Sequence, residues 1–481
     1  MLLLALTGGL CACATTREPP KVVPPAAYDG AAGGEALTTA ELDRWWLLFH
    51  DTELDQLEDQ AFRLSPDART AAERLLEARA TRGGQVAATL PTGNINGNLS
   101  RESASNLAGA SNDLLPVGGV TTSRTLTFQP SWELDLFGRL AQQRQIAGAT
   151  FAASRFDIEG VRASLAASVA DNYFQARGLA IQLADARQSA RIQAELEKVA
   201  SEKAKYGLGA ASDADRVAGD LSQANAQVES LTAQLHAAQR QLLILVGRAF
   251  EPTANLPIEA QVEAPPAIPA AVPGDLLTRR PDVRESEAKF RVEAGTAHLK
   301  HLAIFPTFTL LPGLGLQSVT SPGVGFVPPS TLIPQQQTTS LGFWTVAGGV
   351  SVPVLDIPRL LYEAKAEDAR TREAAIAYEK TVQTAYGEAE NALVALQAAE
   401  RGAGVLAGGE ARAQRAYEAA RRRYGMGLDD ITATLSAEQA WRTTRAALTA
   451  ARVQALRQAV ATYKALGGGW AYAALDARSN R

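Results

Sequence analysis

The 481 residues carry 47 Lys and Arg against 51 Asp and Glu, a net charge of −4, and only 6% are aromatic although 46% are hydrophobic. Near-neutral, evenly mixed charge excludes a nucleic-acid binder, and alanine-rich, aromatic-poor apolar content suits long packed helices better than one large globular core. After the first ten residues no apolar run approaches the roughly 20 needed for a membrane-spanning helix, so a membrane crossing would have to be made by strands.

The only two cysteines lie at the N-terminus, in LTGGLCACATT. An apolar stretch from Leu2 to Leu10 runs into Leu10-Cys11-Ala12-Cys13, the bacterial lipobox order of Leu, any residue, a small residue, then Cys. On this reading 1–12 is a signal peptide and Cys13 becomes the lipidated first residue of the mature chain. Ala14 rather than Asp follows it, as in bacterial lipoproteins sorted to the outer membrane. No basic residue precedes Leu2, which points to a start upstream of Met1. Once Cys11 is removed, no intrachain disulfide can form. Residues 13–40, with their Pro, Ala and Gly content, read as a lipidated tether.

A first structural repeat is expected over 41–250. Leu54, Leu57, Ala61, Leu64, Ala68, Ala71, Leu75 and Ala78 form a heptad seam, the spacing of helices that pack on neighbours. Gly83, Gly84 and Pro91 close it. Strands are expected at 92–100 and 125–137, across a loop rich in Ser, Asn and Gly. In the second, Leu126, Phe128, Trp132, Leu134 and Leu136 share one face. Thr125, Thr127, Gln129, Ser131, Glu133 and Asp135 share the other. Gln129, Glu133 and Asp135 read as groups facing a wet lumen, although a half-buried soluble strand alternates in the same way. A long helix follows at 139–206, about 100 Å at 1.5 Å per residue, which no globular domain requires. The turn Tyr206-Gly207-Leu208-Gly209 ends it. Ser212 and Asp213 are candidate N-caps for a helix over 212–246, whose seam includes Val217, Leu221, Ala224, Val228 and Leu231. Gly247 stops it.

A Pro/Ala linker at 251–274 leads into a second repeat over 275–470. A helix starts at Pro281, strands are expected at 307–317 and 341–355, and a long helix at 359–424. The turn Tyr424-Gly425-Met426-Gly427 follows, then a helix over 429–466 ending at Gly467-Gly468-Gly469-Trp470. A tail, 471–481, closes the chain. Leu90-Pro91 matches Phe305-Pro306, Gly138-Arg139 matches Pro358-Arg359, Gly247 matches Gly467, and Tyr206 is matched with Tyr424. A spacing near 215–220 residues throughout marks an internal duplication.

Four strands cannot close a membrane barrel, because the smallest have about eight. An open edge in lipid would strand unpaired backbone groups. Helical seams with alanine at half their positions also need neighbours on both sides. The expected fold is therefore mainly α with a membrane β-barrel: several copies pool their strands, and coiled-coil helices continue as an α-barrel.

The chain resembles the TolC family of outer-membrane efflux channels, in its NodT-like lipoprotein branch. The residues that carry the resemblance are Trp45-Trp46 with Phe49 and Asp51, WELDLFGR at 132–139, LLTRRPDVRESEA at 276–288, IFPTFTLLPGLG at 304–315, RYGMGL at 423–428 and ALGGGW at 465–470. They span nearly the whole mature chain in family order. The resemblance implies a homotrimer with a 12-stranded barrel and a periplasmic helical tunnel. It implies a passive exit duct that works with a periplasmic adaptor and an inner-membrane RND-type transporter. It places Tyr206, Gly207, Gly209, Gly425 and Gly427 at the adaptor-contacting tips, and the periplasmic entrance at Tyr424, Asp429, Asp430, Thr432 and Ser436. Asp429 and Asp430 would form threefold carboxylate rings that sense charge and pH. Relatives in this branch often carry an apolar residue and an Asp where this chain has Thr432 and Ser436, which shifts the expected charge onto Asp429 and Asp430.

No enzyme, cofactor or metal site is expected apart from the lipid on Cys13. His298 and His301 lie three apart without an evident acidic partner and read as packing residues. Glu133 and Asp135 lack an environment that would split their pKa values. Arg279-Arg280-Pro281-Asp282 reads as a helix start. Two other readings stand beside the efflux duct: the outer-membrane duct of a type I protein secretion system, and a periplasmic coiled-coil adaptor without a pore. The adaptor predicts no matched strand pairs. The cargo cannot be read from these residues.

Overall fold

The computed structural model describes residues 18–28, 42–104, 119–266, 279–327 and 331–469. Cys13, the signal segment and the tail 471–481 lie outside them, as do parts of the tether and linker. The helices α1 (Thr52–Leu64) and α2 (Pro66–Ala87) precede strands β1 (Thr92–Ala104) and β2 (Gly119–Leu134). Helices α3 (Arg139–Lys205) and α4 (Ala211–Leu245) complete the first half. The second half runs α5 (Pro281–Leu302), β3 (Thr307–Val327), β4 (Thr331–Ser351), α6 (Ile357–Gly425) and α7 (Ile431–Ala465). Two compact units result: one holds the described residues among 1–18, 79–151 and 289–374, the other those among 19–78, 152–288 and 375–481.

The duplication is visible in matched boundaries. Pro66–Ala87 reappears as Pro281–Leu302, an offset of 215, and Ala211–Leu245 reappears as Ile431–Ala465, an offset of 220. The shift accumulates along the repeat: residues 307–351, from the start of β3 to the end of β4, number two more than 92–134, and α6 has 69 residues where α3 has 67. Helix ends match as well. Gly207 and Gly427 adopt φ of +70° and +72°, and Gly247 and Gly467 adopt +78° and +80°. Each places its own N–H and the next residue's on the last free carbonyls of a helix, a cap that needs a left-handed residue.

In the first unit the strands form an antiparallel sheet in the order β1-β2-β3-β4. Its register brings Ile95 opposite Phe128, Phe128 opposite Leu314, and Leu314 opposite Trp344. One face is therefore apolar across all four strands, and its side chains are exposed to the surroundings. On β1 and β2 the opposite face carries Asn94, Asn96, Thr125, Thr127, Gln129 and Glu133. The outer edges of β1 and β4 have no strand partner among the described residues.

Three sequence expectations need correction here. The strand expected at 125–137 ends at Leu134, so Leu136 and Asp135 lie beyond it. Asp135 instead accepts the backbone N–H of Leu140 at 3.1 Å and of Ala141 at 2.8 Å, capping α3. The strands expected at 307–317 and 341–355 run 307–327 and 331–351. Their Ser-, Thr- and Gln-rich stretches look like loop but pair across the ladder. Ser340 donates to Ser318 at 3.2 Å, and the Thr320 and Thr338 hydroxyls lie 3.0 Å apart.

In the second unit the core gathers Trp45, Trp46 and Phe49 against α1, α3, α4, α6 and α7. The Trp45 ring stacks on Tyr463 with centroids 5.7 Å apart. Asp51 caps α1 through the N–H groups of Glu53 and Leu54 and also receives the Tyr173 hydroxyl and Arg177. The WW-F-D motif is thus a packing and capping device. The seam of α4 buries Val217, Ala224, Leu231 and Leu242, whereas Leu221 and Val228 stay half-covered, as in a helix that awaits a second neighbour.

Candidate channel mouth

The turn between α3 and α4 and the turn between α6 and α7 have one geometry. Leu208 N–H reaches Lys203 O at 2.8 Å and Gly207 N–H reaches Ala204 O at 3.1 Å. In the second turn Leu428 N–H reaches Arg423 O at 3.0 Å and Gly427 N–H reaches Tyr424 O at 3.0 Å. Gly207 therefore corresponds to Gly427, not to Gly425, which is still helical. The match of Tyr206 with Tyr424 is two residues out of register: Tyr206 corresponds to Met426, and Tyr424 to Ala204. Gly209 and Ala210 correspond to Asp429 and Asp430.

The corrected register explains the two tyrosines. Tyr206 is exposed at the turn, with Leu208, Met426 and Leu428. Tyr424 instead packs inward on a cluster of Leu196, Ala200, Val217, Ile431 and Leu435. Lys203 Nζ sits 4.3 Å from its ring centroid, a cation–π contact that joins the two turns.

The second turn alone carries acids, and both have partners. Arg423 Nε lies 2.8 Å from Asp429. Asp430 is the N-cap of α7, accepting Thr432 N–H at 2.7 Å, and that bond holds its carboxyl below the usual range. Thr432 is half-exposed and Ser436 exposed. In the first turn the N-cap is Ala210, which offers no side-chain bond. Ser212 and Asp213 already lie inside α4, so neither caps it.

A ladder of polar contacts between α3 and α7 was not expected from the sequence. Arg457 pairs with Asp171 at 2.6 Å, and Arg445 with Asp185 at 2.6 Å. Buried Glu438 receives Ser189 Oγ at 2.8 Å and Gln193 Nε2 at 3.1 Å. The stacked pair Tyr417–Trp441, centroids 5.2 Å apart, and the bond from Trp441 Nε1 to Glu410 tie α6 to α7. Heptad reasoning places acids outward, and the one signal of a contact here, a tryptophan (Trp441) in an alanine-rich helix, was passed over.

The remaining expected positions resolve as follows. Gln129 and Glu133 share the polar sheet face, but Glu133 is engaged by Arg139, with Nε to Oε1 at 2.7 Å. His301 does have an acidic partner, Asp368, whose oxygens lie 3.3 Å from Nε2. Among the described residues no three His, Cys, Asp or Glu side chains cluster as metal ligands. Arg280 immediately precedes α5, at the helix start expected there, and it is also buried: it grips Asp282, Glu388 and the carbonyl of Ala465.

The sequence pattern of the family described as outer membrane efflux protein matches residues 57–248 and 272–468. The chain belongs to that family. It is an outer-membrane efflux channel with the TolC-like fold. The pyoverdine export outer membrane protein OpmQ of Pseudomonas putida is 28% identical over 98% of this chain and 97% of its own. The toluene efflux pump outer membrane protein TtgC of Pseudomonas putida is 27% identical over 89% and 85%. Among solved structures, the outer-membrane channel OprN superposes with a TM-score of 0.77 at 25% identity, covering 95% of this chain and 99% of that one. The family is one of channels rather than enzymes. The two antiparallel strand pairs contradict the reading as a pore-less adaptor.

Proposed function

We propose that three copies of this chain form a passive exit duct for small molecules, with edge β1 of each copy paired to edge β4 of the next in a 12-stranded barrel. The observation that carries this is the open four-stranded sheet with one apolar and one largely polar face. Its two edges can exist in lipid only if other strands satisfy them. Half-covered seam positions on α4 supply the same logic for a helical tunnel.

The duct takes its cargo from an inner-membrane RND-type transporter through a periplasmic adaptor. The adaptor meets the exposed tips around Tyr206, Gly207, Gly209, Gly425 and Gly427. The mouth lies at Tyr424, Asp429, Asp430, Thr432 and Ser436, and Cys13 carries the lipid. Pyoverdine and toluene, the cargoes in the relatives' names, are both small organic molecules, and we extend that class to this chain. A mass measurement on the purified membrane protein tests the assembly: three chains are expected, and a monomer or dimer would refute it. Cys13→Ser should abolish acyl labelling, and continued labelling would remove the anchor from the account.

A further inference from the structure

The two faces of the sheet differ in charge as well as in polarity. Its four strands contain four charged residues: Arg101, Glu102, Arg124 and Glu133. Alternation puts both acids on the polar face and both arginines on the apolar one. Arg124 stands opposite Leu99, and Arg101 lies two residues beyond Leu99 on the same strand, so the arginines are diagonal neighbours, about 7–8 Å apart. Both are exposed, and neither has an anionic partner among the described residues. Like charges this close repel each other. The strand that the barrel reading sets against β1 is β4, which contains no charged residue to offset them.

The arginines mark the row at which the apolar face ends. The rows Ile95–Phe128–Leu314–Trp344 and Gly97–Leu126–Leu316–Gly342 are wholly apolar. The next reads Leu99–Arg124–Ser318–Ser340, and the one beyond it Arg101–Thr122–Thr320–Thr338. From Leu134 to Arg124, β2 runs about 33 Å, which is about 25 Å of membrane at a tilt near 40°. That is the height of the apolar band on a membrane barrel, so Arg124 meets headgroups rather than hydrocarbon. The other end of β2 leads into α3 and the periplasmic extension, which makes this rim the outer one. Beside Arg124 a shallow groove of about 630 Å³ is lined by Gly97, Leu99, Leu126, Leu316 and Gly342. A methyl group built on Gly97 would meet only Leu126, at 3.9 Å, and one on Gly342 only Leu316, at 3.5 Å, so the glycines keep the groove open.

We propose that Arg101 and Arg124 bind a phosphate of an acylated glycolipid in the outer leaflet, with an acyl chain of that lipid lying in the groove. The proposal rests on the barrel reading, which turns the apolar face toward lipid. Guanidinium forks donate paired N–H···O bonds to phosphate oxygens, and the phosphate offsets the repulsion between the two cations. An arginine on the lipid face is costly at the midplane and nearly free at the interface, so the rim is where such a pair can be kept. A zwitterionic headgroup would bring its own cation against the pair, which favours a phosphomonoester. Free phosphate would use the arginines alone, whereas the lipid uses the groove as well.

Native mass spectrometry of the purified oligomer with added lipid tests this. The probes are bisphosphorylated lipid A, lipid A stripped of its phosphates, dioleoyl phosphatidylcholine and inorganic phosphate. The unaltered protein should hold bisphosphorylated lipid A about tenfold or more tighter than the stripped lipid or phosphatidylcholine. Millimolar inorganic phosphate should not displace it. Arg101→Gln/Arg124→Gln should weaken that binding about tenfold or more while the oligomer mass and bilayer conductance stay unchanged. Arg101→Lys/Arg124→Lys should restore part of it, because charge remains without the fork. Equal retention of stripped and phosphorylated lipid A by the unaltered protein would overturn the proposal, and that comparison requires no variant to fold. So would a glutamine variant that binds as tightly as its parent. Displacement by inorganic phosphate would overturn the lipid as the ligand, because a free anion would then suffice. A mass other than three chains would overturn the barrel, and selective retention of the phosphorylated lipid would still uphold the site, so the two failures are distinguishable.

Discussion

Glu438 of α7 lies fully buried and accepts the Ser189 hydroxyl of α3 at 2.8 Å, so the second repeat is latched to the first by a carboxylate. Gln193 completes the site at 3.1 Å. Removing the acid leaves two buried donors without an acceptor, at a cost of about 1–3 kcal/mol. Glu438→Ala should therefore loosen the tip. Bilayer recordings should show longer or more frequent openings than in the unaltered channel, and unchanged gating would mean the contact is only structural.

Gly207 and Gly427 share a left-handed backbone, which sets their substitutions apart from those at neighbouring glycines. Gly427→Ala should lower the melting temperature, by roughly 1 kcal/mol in free energy for a side chain forced to positive φ. Gly425→Ala, two residues earlier and inside α6, should be neutral or slightly stabilising. Thermal denaturation of the two variants distinguishes the corrected register from the match of tyrosines.

Glu58 carries the clearest pH signature. It is fully buried on α1, and neither carboxyl oxygen has a hydrogen-bond partner among the described residues. Burial, and to a smaller degree the Asp55 charge, push its pKa well above the ordinary carboxyl value. The folded protein then holds a proton that the unfolded chain releases, so stability is greatest below the unfolded pKa and declines as pH rises toward the folded one. Glu58→Gln should flatten that decline and raise the melting temperature at neutral pH, by about 1–3 kcal/mol in free energy. A melting temperature that falls at neutral pH would show that the charged form has an unseen partner.

Arg280 joins the start of α5 to α6 and to the end of α7. Its guanidinium lies 2.6 Å from both Asp282 and Glu388 and 3.3 Å from Ala465 O. Arg280→Ala should destabilise the fold by about 2–4 kcal/mol, at the low end of buried ion pairs because both acids are half-exposed. Arg280→Lys should recover only part of this, since a compact ammonium lacks the planar fork whose Nε, Nη1 and Nη2 atoms reach separate acceptors. Denaturant midpoints of the two variants measure the difference.

Much of this fold could be read from the sequence because its rules are periodic. Heptads marked the helices, alternation at Leu126, Phe128 and Trp132 marked a strand, and repeated glycines marked the duplication. What escaped is non-periodic. The Tyr-Gly pairs matched as letters, and only the φ angles showed that Gly427, rather than Gly425, is the counterpart of Gly207. Asp135 continued the alternation but ends as a cap, because the strand stops one residue earlier, at Leu134. Glu438 and Glu58 sit inward, against the rule that charge faces water, and nothing in their spacing announced it. At the mouth, Asp429 and Asp430 were legible as the charged turn, whereas their engagement with Arg423 and Thr432 N–H was not.

A conducting path enclosed by copies of this chain is read out by ion conductance across a planar bilayer containing the purified oligomer. The unaltered channel should conduct in discrete steps, and the Asp429→Ala/Asp430→Ala/Glu438→Ala variant should be open more of the time. A bilayer that stays silent with both proteins, when the oligomer is shown to be inserted, would contradict it.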